Sequence, residues 1–263
     1  MKLAISNIAW SAEQDEIMYE KMAELGFTGL EIAPTRIFPE RPYEHLEEAV
    51  RWRKELHRRY GFEIPSMQSI WYGRTESIFG TPEEREALQR YTYQAIDFAA
   101  AIGCRNLVFG CPKNRRVPEG ADPDTAIPFF QKIAEYAVSK NVAIGLEANP
   151  PIYLTNYINT TQQALDIIEK VSSPGLRLNL DVGTMLFNKE DVSEIVGKVH
   201  YVSHIHISEA KLALVEPHQL HQELEKCLSI EKYGMFVSIE MRRVENINTI
   251  FPIMEYIADA FIN

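Results

Sequence analysis

Four side chains occupy matching places in the chain: Glu147 in GLEANP, Asp181 in LNLDVG, His206 in HIHIS and Glu240 in SIEMR each close a short apolar run. Any one of them alone is an ordinary charged group where a strand meets a loop. Three carboxylates and an imidazole ending four consecutive strands are a different matter, because the C-terminal strand ends of a parallel barrel form one rim, where active sites are built. Carboxylates gathered there repel one another unless a cation neutralises them. A donor set of oxygen and nitrogen without thiolate suits one divalent ion, Mn²⁺, Mg²⁺, Co²⁺ or Zn²⁺.

The elements that must position these groups follow from periodicity. Short runs rich in Val, Ile and Leu alternate with amphipathic segments from end to end, with no linker or charge block between them. The spacing predicts strands near 3–8, 29–32, 64–69, 106–109, 143–147, 176–181, 202–207 and 236–240. Between them it predicts helices over 15–25, 43–60, 82–102, 124–140, 161–171, 189–196, 220–232 and 246–262. Gly26, Gly61, Gly103 and Gly234 follow helical patterns where a left-handed residue ends a helix, and Thr81-Pro82 reads as N-cap and first helical residue. Eight βα units in 263 residues make an α/β protein, a single (β/α)8 TIM barrel over 1–263. An open nucleotide-binding sheet would carry a GxGxxG turn after its first strand, and here that stretch reads NIAWSAEQ.

Composition narrows the partners. Hydrophobic residues at 46% and charged residues at 24% support a large buried core. A formal net charge of -10 argues against nucleic acid, whose binding draws on clustered Lys and Arg. A small polar substrate fits better. The first residues show no signal-peptide run, no stretch suggests a membrane partner, and three cysteines without framework spacing point to a reducing cytoplasm.

On NIAW, GLEIAPT, MQSIWYG, NLVFGCPKNR and SIEMR, together with the four strand ends, the chain resembles the xylose isomerase-like barrel superfamily, specifically its sugar phosphate isomerase/epimerase branch. The resemblance implies that Glu147, Asp181, His206 and Glu240 hold the metal and that Glu147 and Glu240 exchange a proton with the substrate. It further implies a sugar or sugar-phosphate substrate and a homodimer or homotetramer. The physics agrees: a metal chelating a carbonyl and its neighbouring hydroxyl acidifies the adjacent C–H and stabilises an enediolate. One departure stands out, since the family often has a His three residues after the strand-six aspartate and this chain has Thr184. A hydroxyl there offers only hydrogen bonding.

Further substrate contacts are expected from position. Lys113 and Arg115, with Arg116 beside them, follow strand four as cations suited to an anionic substrate, while Cys111 is a packing residue. Glu31 and Gln68 end strands two and three and can meet sugar hydroxyls, and Trp10 and Trp71 offer apolar walls. Asn149 and Tyr153 follow Glu147 and can orient it, and His204 reads as a supporting or core residue. His221 is placed at a helix start near substrate and His218 at the surface.

Three other readings compete. A metal-dependent sugar dehydratase or lyase would use the same enediolate, and a non-catalytic sugar-binding barrel would bind sugar without metal. A nuclease of the endonuclease IV type needs additional His ligands on strands three and four, where this chain has Gln68 and Gly110.

Overall fold

The computed structural model describes residues 1–262. Its strands are β1 (Lys2–Ser6), β2 (Gly29–Glu31), β3 (Ser66–Met67), β4 (Asn106–Phe109), β5 (Ala143–Glu147), β6 (Leu176–Asp181), β7 (Val202–Ile207) and β8 (Phe236–Ile239). All their pairings are parallel, in the order β2-β1-β8-β7-β6-β5-β4-β3. Parallel bridges Gly29–Glu63 and Ile32–Met67 bring β2 to β3 and nearly close the circle. The expected (β/α)8 barrel is therefore the fold.

The helices are α1 (Asp15–Glu24), α2 (Pro34–Ile37), α3 (Leu46–Tyr60), α4 (Pro82–Ile102), α5 (Ile127–Ser139), α6 (Thr161–Val171), α7 (Val182–Asn188), α8 (Gln219–Ile230) and α9 (Phe251–Ile262). Their ends have local causes. The Thr81 side chain accepts from Glu84 N at 3.3 Å while Glu84 Oε2 accepts from Thr81 N at 2.8 Å, a reciprocal cap worth about 1 kcal/mol, with Pro82 following as predicted. Gly61 and Gly103 end α3 and α4 at φ 76° and 75°. At the end of α8, by contrast, the left-handed residue is Lys232 rather than Gly234.

The helix expected over 189–196 lies elsewhere. α7 begins directly after β6, because Asp181 Oδ1 accepts from Thr184 N at 2.6 Å and so caps it, and Lys189 at φ 59° stops it. Only a short 3-10 turn, Val192–Glu194, falls inside the expected range.

The barrel interior is polar. Asn106 donates to Ser66 Oγ at 3.0 Å and accepts from Ser203 Oγ at 2.7 Å; Gln68 donates to Ser6 Oγ at 2.7 Å; Ser238 donates to Glu31 Oε2 at 3.0 Å. Barrel interiors are more often filled by branched aliphatic residues. Here the aliphatic side chains of the strands, such as Ile5, Leu107, Leu146, Leu178 and Ile205, are buried in the core cluster shared with the helices. Among the described residues no helix is long and apolar enough to cross a membrane.

Candidate active site

Glu147, Asp181 and Glu240 line one cavity of about 190 Å³, together with Gln68, Gly110, Asn149, Tyr153, Ser208 and Glu209. His206 lies wholly buried against it, its Nδ1 3.0 Å from Glu147 Oε1 and 3.3 Å from Glu240 Oε2. Glu147, Asp181 and His206 each offer a donor atom, all within 4.8 Å of one another. The rim has brought together groups that stand far apart in the chain.

The charges in this cluster are in conflict. Burial, then the Glu147 and Glu240 carboxylates, push Asp181 up to about 7. Burial also raises Glu240, with His206 opposing it. Burial works against a proton on His206, yet Glu240 and Glu31 hold its pKa well above the ordinary value. Buried carboxylates that lean on a single imidazolium for compensation are the arrangement a divalent cation relieves, so the donor set fits a metal.

The imidazole is aimed from behind. His206 Nε2 lies 2.9 Å from Glu31 Oε1, so a hydrogen on Nε2 leaves the Nδ1 lone pair facing the cavity. Carboxylates commonly fix the tautomer of a metal-binding His in this way. Glu31 is therefore not a sugar contact as expected: it is fully buried between His206, His204 and Ser238. Glu31, His204 and His206 also approach one another closely enough to chelate. That lower group is sealed, with each member at most 1% exposed, and Glu31 is already held by His206 at 2.9 Å with His204 Nε2 3.4 Å away; the upper group faces the cavity. His204 supports the site from below, as its position suggested.

Several expected contacts are relocated. Arg115 is wholly buried, donating to Glu147 O at 2.8 Å, Asn149 Oδ1 at 2.9 Å and Ile158 O at 3.3 Å, and burial lowers its pKa to about 10. Its guanidinium is directed to these three acceptors, and Arg115 does not line the carboxylate cavity. Asn149 in turn donates to Glu147 Oε2 at 3.0 Å, so Arg115 and Asn149 together set the angle of Glu147. Lys113 is exposed and lines, with Trp71 and Tyr72, a neighbouring cavity that shares Ser69, Cys111 and Pro112 with the carboxylate cavity. Thr184 is spent within the protein, its hydroxyl donating to Ala148 O at 2.9 Å. Trp71 is core, edge-on to Phe109 and Phe129, and Trp10 lines a separate cavity while donating to Asp15 Oδ1 at 2.7 Å.

The two histidines near α8 exchange the places expected of them. His221 is turned away from the mouth, its Nδ1 2.9 Å from Tyr256 of α9. His218, expected at the surface, has Nε2 2.7 Å from Oε1 of Glu209 in the cavity wall. Three contributors escaped sequence reasoning. Asn179 donates to Glu147 Oε1 at 2.8 Å, Ser208 donates to Asp181 Oδ2 at 2.6 Å, and at Gly110 a Cβ would stand 2.7 Å from Glu147 Oε2. Asn179 and Ser208 lie two residues from Asp181 and His206, a spacing that puts them on the same side of a strand.

Residues 19–228 match the family of xylose isomerase-like TIM barrels, and the chain belongs to it. Among solved structures it is similar to a D-psicose 3-epimerase with D-tagatose from Clostridium cellulolyticum H10, at 17% identity and TM-score 0.75, covering 100% of this chain and 97% of the other. It is similar to a 3-keto-D-glucoside 4-epimerase from E. coli at 16% identity and TM-score 0.75, covering 98% and 99%. An AP endonuclease of family 2 from Brucella melitensis also aligns, at 16% identity and TM-score 0.69, covering 92% and 94%. At such identities the likeness establishes the fold, which serves more than one chemistry. No curated protein sequence matches the chain.

Proposed function

We propose that this protein is a divalent-metal-dependent sugar epimerase or isomerase that moves a proton on the carbon beside a substrate carbonyl. The observation that carries the reading is the pair Glu147 and Glu240, both beside His206 Nδ1 on the wall of a cavity large enough for one sugar. Glu147, Asp181, His206 and Glu240 would hold the ion. When bound, a divalent ion polarises the sugar carbonyl and stabilises the enediolate left after proton loss. One glutamate takes the proton and the other returns it to the opposite face, which inverts the carbon; return to the neighbouring carbon by the same group isomerises the sugar. Gln68 is placed to hold a sugar hydroxyl, since it lines the cavity while Ser6 fixes its amide. The structures similar to this one include two sugar epimerases, which supports the reading.

A direct test is incubation of ketoses in D₂O with Mn²⁺, Mg²⁺, Co²⁺ or Zn²⁺. Chelator-sensitive deuterium at the carbon next to the carbonyl is expected. Loss of water from the sugar in place of exchange would replace epimerisation with dehydration, and sugar binding that ignores metal would make the barrel a binding protein.

A further inference from the structure

Beside the carboxylate cavity lies a second one of about 600 Å³, walled by the segments that follow β1, β2, β3 and β8. The two meet at Ser69, which lines both. Ser69 sits in the left-handed region at φ 54°, and its hydroxyl donates to Gln68 Oε1 at 3.2 Å. The smaller cavity has room for one sugar and its reacting carbon. A larger space that shares Ser69 with it has room for an occupant that continues past that sugar.

The wall of the second cavity states what that occupant is. Of its aromatic members Trp10 is buried, at 1% exposure, and Tyr72 is 72% exposed, an aromatic surface with little packed against it. The Trp10 indole is fixed by its bond to Asp15, which also pairs with Arg36 at 2.5 Å. The charges cancel: Arg36 faces Asp15, and Arg243, which makes no ion pair among the described residues, lies close enough to act on the exposed carboxylate of Glu13. An anion entering here would meet Glu13 as well as Arg243. A neutral polyol suits the same wall, packing a C–H face on the Tyr72 ring and its hydroxyls against guanidinium and carboxylate groups.

We infer that the second cavity binds a further sugar unit, so that the substrate is a glycosylated ketose, with the reacting sugar over Glu147 and Glu240 and its glycosyl partner between Tyr72 and Arg243. The inference rests on the epimerase or isomerase reading for which unit reacts, but the second site stands on its own geometry.

The test compares calorimetric affinities of the metal-loaded protein for fructose, the 4-, 5- and 6-O-glucosylfructoses, and fructose 6-phosphate. The best glucosylfructose is expected to bind about tenfold tighter than fructose, the scale of one added aromatic contact plus hydrogen bonds. Tyr72→Ala and Arg243→Ala should each bring that ratio down to about twofold or less. Equal affinity for fructose and all three disaccharides overturns the inference. So does a preference for the 6-phosphate that Arg243→Ala abolishes, which would make the cavity an anion site. Deuterium exchange into fructose, followed in parallel, separates the two claims. Exchange with equal affinities removes the second site alone; selective disaccharide binding without exchange on any sugar removes the catalytic reading alone.

Discussion

From β5 to β8 the strand ends present ionisable groups locked to one another, whereas from β1 to β3 they present a buried carboxylate, a glutamine and aromatic loops around open space. In the first half Glu147 is held by Asn149, Asn179 and His206 at 3.0, 2.8 and 3.0 Å, leaving little freedom. In the second half Glu31 is buried beneath His206 and serves it, and the aromatic side chain that faces open space is Tyr72, with Arg243 of the segment after β8 reaching in beside it. Fixed geometry is what proton transfer and metal binding require, and an open, mixed wall is what recognition of a varied ligand requires. One rim thus divides its work by strand.

That contrast breaks most sharply at Glu240. Glu240→Gln should keep the fold and lower turnover by about 10²–10⁴-fold, because an amide is a weak ligand and no base. Full activity in this variant would remove Glu240 from the chemistry. Crossing to the supporting side, Glu31→Gln should leave the cavity intact yet weaken metal affinity by about 10–100-fold, as judged by titration of the metal with the apo protein. Unchanged affinity would reduce Glu31 to packing. Arg115→Met should act through the angle of Glu147, also costing about 10–100-fold in metal affinity, while the preference among sugars stays put. A loss of phosphorylated substrates alone would instead make Arg115 an anion receptor.

The smallest effect on turnover is expected at His221, outside both regions. Burial, and secondarily His218, lower its pKa from the ordinary 6.5 to about 4. Between those values the unfolded chain takes up a proton that the folded one refuses, so stability falls as pH drops from 6.5 to 4, by up to about 3 kcal/mol. Urea midpoints across that range should fall in the parent protein and fall less in His221→Gln. Parallel curves would show that the imidazole titrates normally.

The fold and the four strand-end groups were legible because a carboxylate or imidazole that stops an apolar run is a local signal, repeated on consecutive strands. The supporting groups were not. Arg115 reads as a loop cation in CPKNRR, and only the packed chain reveals that three acceptors have taken its guanidinium under the loop after β5. α7 was misplaced since Asp181 has two roles: the residue expected to bind metal also caps the helix that starts there. His221 and His218 stand three apart at the start of α8, and nothing local tells which of them turns toward the mouth. The division of the rim is likewise invisible in sequence, because Glu31 ends a strand just as Glu147 does, yet the packed barrel buries it beneath His206.

The central claim is that the carboxylates and imidazole over the barrel mouth hold a divalent ion that enables proton transfer on a sugar. It is tested most directly by metal analysis of the purified protein before and after chelation, coupled to NMR detection of deuterium entering ketoses and their glycosides in D₂O. Bound metal and exchange that disappears with chelator and returns with added ion is the result expected. A protein that neither binds metal nor exchanges any C–H while still holding sugar would contradict it.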